Sequence, residues 1–346
     1  MPLTIATVPV AAAPGRVTSP HRGAVENLDL VIPAGSLCGF IGPNGAGKTT
    51  TIRMIMSIIF PDSGKLEVLG RKSAIESKDR IGYLPEERGV YRKMRVGQFL
   101  KYMARLKGVD SAGLDTKVRE WLGRVDLADC YRKKSEELSK GMQQKVQFIA
   151  TVIHEPDLII LDEPFSGLDP VNSRLLRALI DEQHDAGRTI IFSTHQMSQA
   201  EALCDRVIMI HQGRKVLDNT PREVHSRFDA RIVHVEPAAA GNGLVEAIRA
   251  VPGVTDVREN GHGFDVQIAD DVNAASVVAP LAQVGEMLRL QVVKPTLEDI
   301  FIEIVQGSHA SEAERQRLLD ALRAGNQDGG VIRLATAGRG SDGSGD

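Results

Sequence analysis

The chain has 346 residues, enough for more than one core, since single domains commonly settle near ~100–200 residues. Its 42% hydrophobic and 25% charged residues are an ordinary balance for a globular protein and exclude a fibrous or low-complexity chain. A formal net charge of −3 gives no overall pull toward nucleic acid, so any polyanion has to be held by a local site.

Met1–Pro14 is rich in small apolar residues but has no basic segment ahead of them, which argues against a secretory signal and predicts a strand or a ragged terminus. From Gly23 to about Asn219, short apolar runs alternate with helical patterns. Leu37–Ile41, Ile81–Leu84, Leu158–Leu161 and Thr189–Ser193 each read as a buried strand, and Thr50–Ile59 as a helix. That alternation predicts an α/β fold with a mostly parallel sheet. Val207–His211, the turn Gln212-Gly213 and Lys215–Leu217 read as a hairpin closing the sheet's edge. After Pro221 the pattern changes. Arg231–Glu236 alternates as a strand, Leu244–Val251 is helical, two strands flank the turn Asn260-Gly261, Ala274–Val284 is helical, and Met287–Val293 is a strand. The order βαββαβ predicts a small α+β domain of the ferredoxin-like kind. A last helix follows, capped by Thr296, with Leu297, Ile300, Phe301 and Ile304 on one face. Ser311 and Glu314 form a capping-box pattern before a Gly/Ser/Asp-rich tail that reads as disordered. The predicted organisation is an N-terminal segment 1–22, a first domain 23–220, an accessory domain 221–306 and a short helix with tail 307–346.

Cys38, Cys130 and Cys204 are widely spaced with no CxxC pattern, which suggests neither a disulfide framework nor a zinc site and fits a reducing cytosol. No apolar run reaches the roughly 18–20 residues a membrane-crossing helix needs, so any translocation path has to come from another polypeptide.

Gly42–Thr49 reads GPNGAGKT, the G-x-x-x-x-G-K-[ST] pattern, between a predicted strand and a predicted helix. Glycines let the backbone wind round a phosphate with its N–H groups inward, and the helix start adds the positive end of its dipole. The candidate nucleotide-binding residues are Gly42, Pro43, Asn44, Gly45, Ala46, Gly47, Lys48, Thr49 and Thr50. Lys48 supplies full charge to the β- and γ-phosphates, and Thr49 offers its hydroxyl to Mg²⁺. The strand Leu158–Leu161 ends in two carboxylates, Asp162 as a metal ligand and Glu163 as general base. ATP or GTP with Mg²⁺ is therefore the expected ligand pair.

Across roughly Gly23–Asn219 the chain resembles the nucleotide-binding cassette of ATP-binding cassette (ABC) proteins, with that family's motifs in that family's order. Leu138–Met142 (LSKGM) resembles the signature, Ser166–Asp169 (SGLD) the D-loop, His195 the switch histidine, and Ile81–Glu86 (IGYLPE) stands at the Q-loop. The resemblance implies catalysis by Glu163, His195 and Lys48, metal contacts from Thr49, Asp162 and Glu86, and Ser139 with Gly141 completing the ATP site of an opposing cassette. It implies a homodimer or cassette heterodimer, a separate transmembrane permease and no nucleic-acid partner. The expected place is cytoplasmic, peripheral on the inner face of the cell membrane.

Three departures stand out: Glu86 occupies a position where glutamine is usual, Lys140 and Met142 replace glycine and glutamine, and Ser19-Pro20-His21 lacks the aromatic that stacks on adenine. Residues Arg231–Val305 resemble the appended domain of bacterial exporter cassettes of the sodium- and drug-efflux type. The expected function is the ATP-hydrolysing subunit of an ABC exporter; the alternative is a soluble ABC ATPase uncoupled from any membrane protein.

Overall fold

The computed structural model describes residues 3–6 and 24–306, apart from 88, 90, 229–231, 240–242, 262 and 270. The Ser19-Pro20-His21 segment and the 307–346 helix and tail lie outside the described residues. In chain order the first elements are β1 (Leu3–Ala6), β2 (Asp29–Ile32), β3 (Leu37–Ile41), α1 (Lys48–Ile55), β4 (Ile81–Leu84), α2 (Val96–Leu106) and α3 (Leu114–Arg124). They are followed by α4 (Lys140–Val152), β5 (Leu158–Asp162), α5 (Pro170–Asp185), β6 (Thr189–Thr194), α6 (Met197–Leu203), β7 (Arg206–His211) and β8 (Arg214–Asn219). Six strands form one sheet in the order β4-β5-β6-β3-β7-β8, with every pair parallel except the β7–β8 hairpin.

The uninterrupted apolar runs are explained by burial on both faces. Alternate residues divide between two cores: Leu37, Ile159, Leu161, Phe192 and Met209 join one, while Phe40, Ile160, Ile191 and Ile208 join the other. Helices α2 to α6 contribute to the first, and α1 with β2 to the second. Leu3–Ala6 is a strand, paired antiparallel with β2.

The helix expected over Thr50–Ile59 is shorter. It stops at Ile55 because Ser57 adopts φ 55°, so that Ser57 N–H donates to Met54 O and Ile58 N–H to Arg53 O, both at 2.9 Å. These two bonds make a Schellman cap with serine where glycine is usual.

Beyond β8 come α7 (Pro221–Arg227), β9 (Ile232–Pro237), α8 (Leu244–Arg249), β10 (Val254–Asn260), β11 (Gly263–Ile268), α9 (Ala274–Ala282), β12 (Met287–Val293) and α10 (Leu297–Gln306). The four strands form an antiparallel sheet in the order β10-β11-β9-β12, the split-βαβ arrangement of ferredoxin-like domains. Val233, Val235, Val257 and Val266 face α8 and α9 in a third core. Helix α10 opens on a reciprocal cap: Asp299 N–H donates to Thr296 Oγ1 at 3.2 Å, and Thr296 N–H to Asp299 Oδ2 at 2.9 Å. Its Leu297, Ile300 and Phe301 are fully buried in the first core, together with Ile302, whereas Ile304 is half-buried. Among the described residues no helix is long and apolar enough to cross a membrane.

Candidate active site

The strand order decides which residues meet. With β4, β5, β6 and β3 side by side and parallel, their C-terminal ends bring Glu86, Asp162 with Glu163, His195, and the Gly42–Thr49 loop to one edge. The ends are nearly level, since Asp162 pairs with Ser193 and Thr194 with Ile41. This is where ligands bind on open parallel sheets.

The loop leaves β3 through Gly42 at φ 147°, where an added Cβ would lie 2.1 Å from Ile210 O; only glycine fits so close an approach. Gly47, at φ 109°, starts α1, and Thr51 Oγ1 donates to its carbonyl at 2.9 Å. Lys48 is buried, and its ammonium donates to Gly42 O at 2.8 Å and Pro43 O at 3.2 Å. Burial lowers its pKa, against the attraction of Glu163, Asp162 and Glu86. The cation therefore stands among three carboxylates and inside the curl of the loop.

Asp162 is 1% exposed. Burial raises its carboxyl pKa; the hydroxyls of Ser193 and Thr49 oppose that shift, and Glu163 adds to it. Ser193 donates to Oδ1, whereas the buried Oδ2 has no hydrogen-bond partner. A buried carboxylate with one orphaned oxygen, under the influence of the Thr49 hydroxyl and the Lys48 ammonium, is a fitting donor for a hard divalent cation.

Glu163 adopts φ 49°, a left-handed conformation rare outside glycine and asparagine. It is held there by its N–H, which donates to Ser193 O at 3.0 Å. Both carboxylate oxygens are oriented: His195 N–H donates to Oε1 at 2.9 Å, His195 Nδ1 lies 2.7 Å from the same oxygen, and Thr194 Oγ1 donates to Oε2 at 3.3 Å. Backbone that holds an unusual φ beside a positioned acid and histidine is typical of reactive sites. Glu86 is near enough for its carboxyl to be raised, first by burial and then by Asp162 and Glu163, against Lys48 and His195.

Ser139 and Gly141 stand elsewhere. The Ser139 hydroxyl accepts from Met142 N–H at 3.3 Å as the cap of α4, and a Cβ on Gly141 would be 3.3 Å from Asn172 Nδ2 and 3.6 Å from Leu168. Neither is hydrogen-bonded to the 42–49 loop among the described residues. The two regions are tied indirectly, since Gln144 Nε2 of α4 donates to Pro164 O at 3.0 Å, one residue past Glu163. Asp169 caps α5, accepting from Val171 N–H at 3.0 Å and Asn172 N–H at 2.9 Å.

Sequence reasoning passed over Ser193 and Thr194, which fix the two carboxylates, and Gly213, whose N–H donates to Ala46 O at 2.9 Å. The available signal was a pair of hydroxyl residues closing an otherwise apolar strand next to His195.

The model of the ABC transporter family matches residues 25–166, and that of the C-terminal domain of DrrA1-3-like ATP-binding proteins matches 220–305. An uncharacterized ABC transporter ATP-binding protein of Alkalihalophilus pseudofirmus is 41% identical over 270 residues, covering 78% of this chain and 100% of that protein. The linearmycin resistance ATP-binding protein LnrL of Bacillus subtilis is 30% identical, covering 81% and 93%. The daunorubicin resistance ATP-binding protein DrrA3 of Streptomyces coeruleorubidus is also 30% identical, covering 82% and 91%. A solved ATP-binding subunit of an ABC transporter superposes with a TM-score of 0.58 at 28% identity, covering 65% of this chain and 92% of that one. By this extent of identity, over a fold and a phosphate loop of the matching kind, the chain belongs to the ATP-binding proteins of ABC transporters, subunits that bind and hydrolyse ATP.

Proposed function

We propose that this subunit works as one of a pair of cassettes, a homodimer or heterodimer, peripheral on the inner face of the cell membrane. There it powers export through a separate transmembrane permease. The observation that carries the hydrolytic part is the cluster of buried Lys48, Asp162 with its unpartnered Oδ2, and Glu163 held on His195 at 2.7 Å. Thr49 and Asp162 would hold Mg²⁺, with the Glu86 carboxylate close by. When bound, the ion would supply positive charge to offset the charge that develops on the phosphate chain. The backbone of 42–50 and the Lys48 ammonium bind and orient the phosphate chain. Glu163 takes the proton of the attacking water, and His195 keeps that carboxylate aimed at the γ-phosphate side. Ser139 and Gly141 close the nucleotide site of the opposing cassette. Export is supported by the resistance proteins to which the chain is similar over both of its matched regions.

The test is phosphate release by the purified chain at saturating ATP. Release is expected with Mg²⁺ and not with a chelator, and Asp162→Asn is expected to raise the Mg²⁺ concentration needed for half-maximal release by about tenfold or more. Binding of ATP without any release would favour a nucleotide-sensing subunit instead.

A further inference from the structure

The Gly42–Thr49 loop rests on the β7–β8 hairpin at three points. Ile210 O occupies the space a Cβ on Gly42 would need, Gly213 N–H donates to Ala46 O at 2.9 Å, and Gly213 Cα would be 3.5 Å from a Cβ on Gly47. His211 lies between the first and second of these contacts. Alternation along β7 turns it to the face of Val207 and Met209, the face toward α6 and α10. There its ring meets the fully buried ring of Phe301 edge-on, with centroids 5.4 Å apart and planes at 71°. His211 Nδ1 is buried without a hydrogen-bond partner, so on that side the ring is placed by packing.

The same helix packs on α6, which starts two residues after His195, and buries Leu297 and Ile300 in one core with Met197 and Ala200.

We infer that Phe301 and His211 are positioning residues for ATP, a brace by which α10 sets the hairpin under the phosphate loop and the helix behind His195 in one geometry. The inference rests on the nucleotide-site reading above and adds that the C-terminal helix tunes that site within its own chain. Small displacements of positioning elements are costly at a reacting centre, and aromatic edge contacts have defined geometry.

The experiment is a double-mutant cycle on the full-length chain, reading the Kd of a fluorescent ATP analogue and the Tm. Phe301→Ala and His211→Ala are each expected to weaken binding about tenfold, and the double variant no more than either alone. Phe301→Leu, which keeps apolar volume without the ring, should weaken binding in the same direction. His211→Phe keeps the ring contact and should stay within about twofold of wild type. Val224→Ala, at a fully buried position of α7 in the same core, should lower Tm comparably with Kd within about twofold of wild type. If the ring variants lower Tm with Kd near wild type, as in Val224→Ala, or if the two effects on Kd add, the brace is overturned while the nucleotide site stands. A wild type that binds no analogue, with Lys48→Ala indistinguishable from it, would overturn both readings.

Discussion

The two large sheets of this protein are built from similarly short strands, yet they treat polarity in opposite ways. In the six-stranded sheet the strand ends bury Lys48, Asp162, Glu163, Ser193 and Thr194 together. In the four-stranded part, among the described residues from 232 to 306, no polar residue is buried. Its polar groups lie on the open face, where His234 Nδ1 is 2.7 Å from Asp265 and Asn260 donates to the same carboxylate at 2.6 Å. Buried charge is tolerated only where another charge or hydrogen bond offsets its desolvation. Parallel strands ending level supply that opportunity, because four separate chain segments deliver opposite charges to one place. The antiparallel sheet has no such edge, and its described part is a packing module with a wet face.

Helix α10 refines the contrast: it follows the second sheet in sequence but buries its apolar face in the first core. The C-terminal region is thus attached to the cassette through a helix whose loss would be felt in the cassette itself.

The sharpest way to break the comparison is at the phosphate loop. Gly42→Ala forces an L-residue to φ 147° with its Cβ 2.1 Å from a backbone oxygen. The backbone conformation alone costs about 1–3 kcal/mol, and the clash displaces the loop, so ATP binding should disappear at millimolar nucleotide in a titration by fluorescence. Next in size is Val266→Ala in the second sheet. Removing a fully buried valine side chain from that core should cost about 1–3 kcal/mol in a denaturant melt and leave the Kd for ATP unchanged. A Kd that moved with Val266 would erase the distinction between the two sheets.

The smallest effect is expected at Glu86. Although Glu86 is exposed, partial desolvation and its carboxylate neighbours Asp162 and Glu163 raise its carboxyl pKa, so it contributes a little stability while protonated and loses it as pH rises through the carboxylate range. Glu86→Gln removes that cost. Its Tm should exceed wild type by about 1 °C near pH 7, with the gain fading as pH falls to about 4. A gain that grew on acidification would show the sign to be wrong.

Much of the first sheet was legible because each buried strand is a mostly apolar run, and the phosphate loop because its glycines and lysine keep fixed spacing between a strand and a helix. The βαββαβ order of the second part was equally visible in its alternation. Less accessible was anything set by a single backbone angle: Ser57 at φ 55° shortens α1, and nothing in Ser57-Ile58-Ile59 announces it. Contacts between distant segments were also silent. Glu163 and His195 are joined through a strand pairing that no local period encodes; family resemblance named His195 for the site but not its contact with Glu163, and the His211–Phe301 contact, across 90 positions, came from neither source. The last helix illustrates the middle case, since its apolar face was plain but not the surface it would cover.

The central claim is that Glu163, oriented by His195 and Thr194, activates the water that cleaves ATP. Single-turnover phosphate release with Glu163→Gln tests it most directly. The account predicts nucleotide affinity close to wild type and turnover lower by roughly 10²–10⁴, the usual contribution of a general base. Turnover equal to wild type, with ATP bound as tightly, would contradict it.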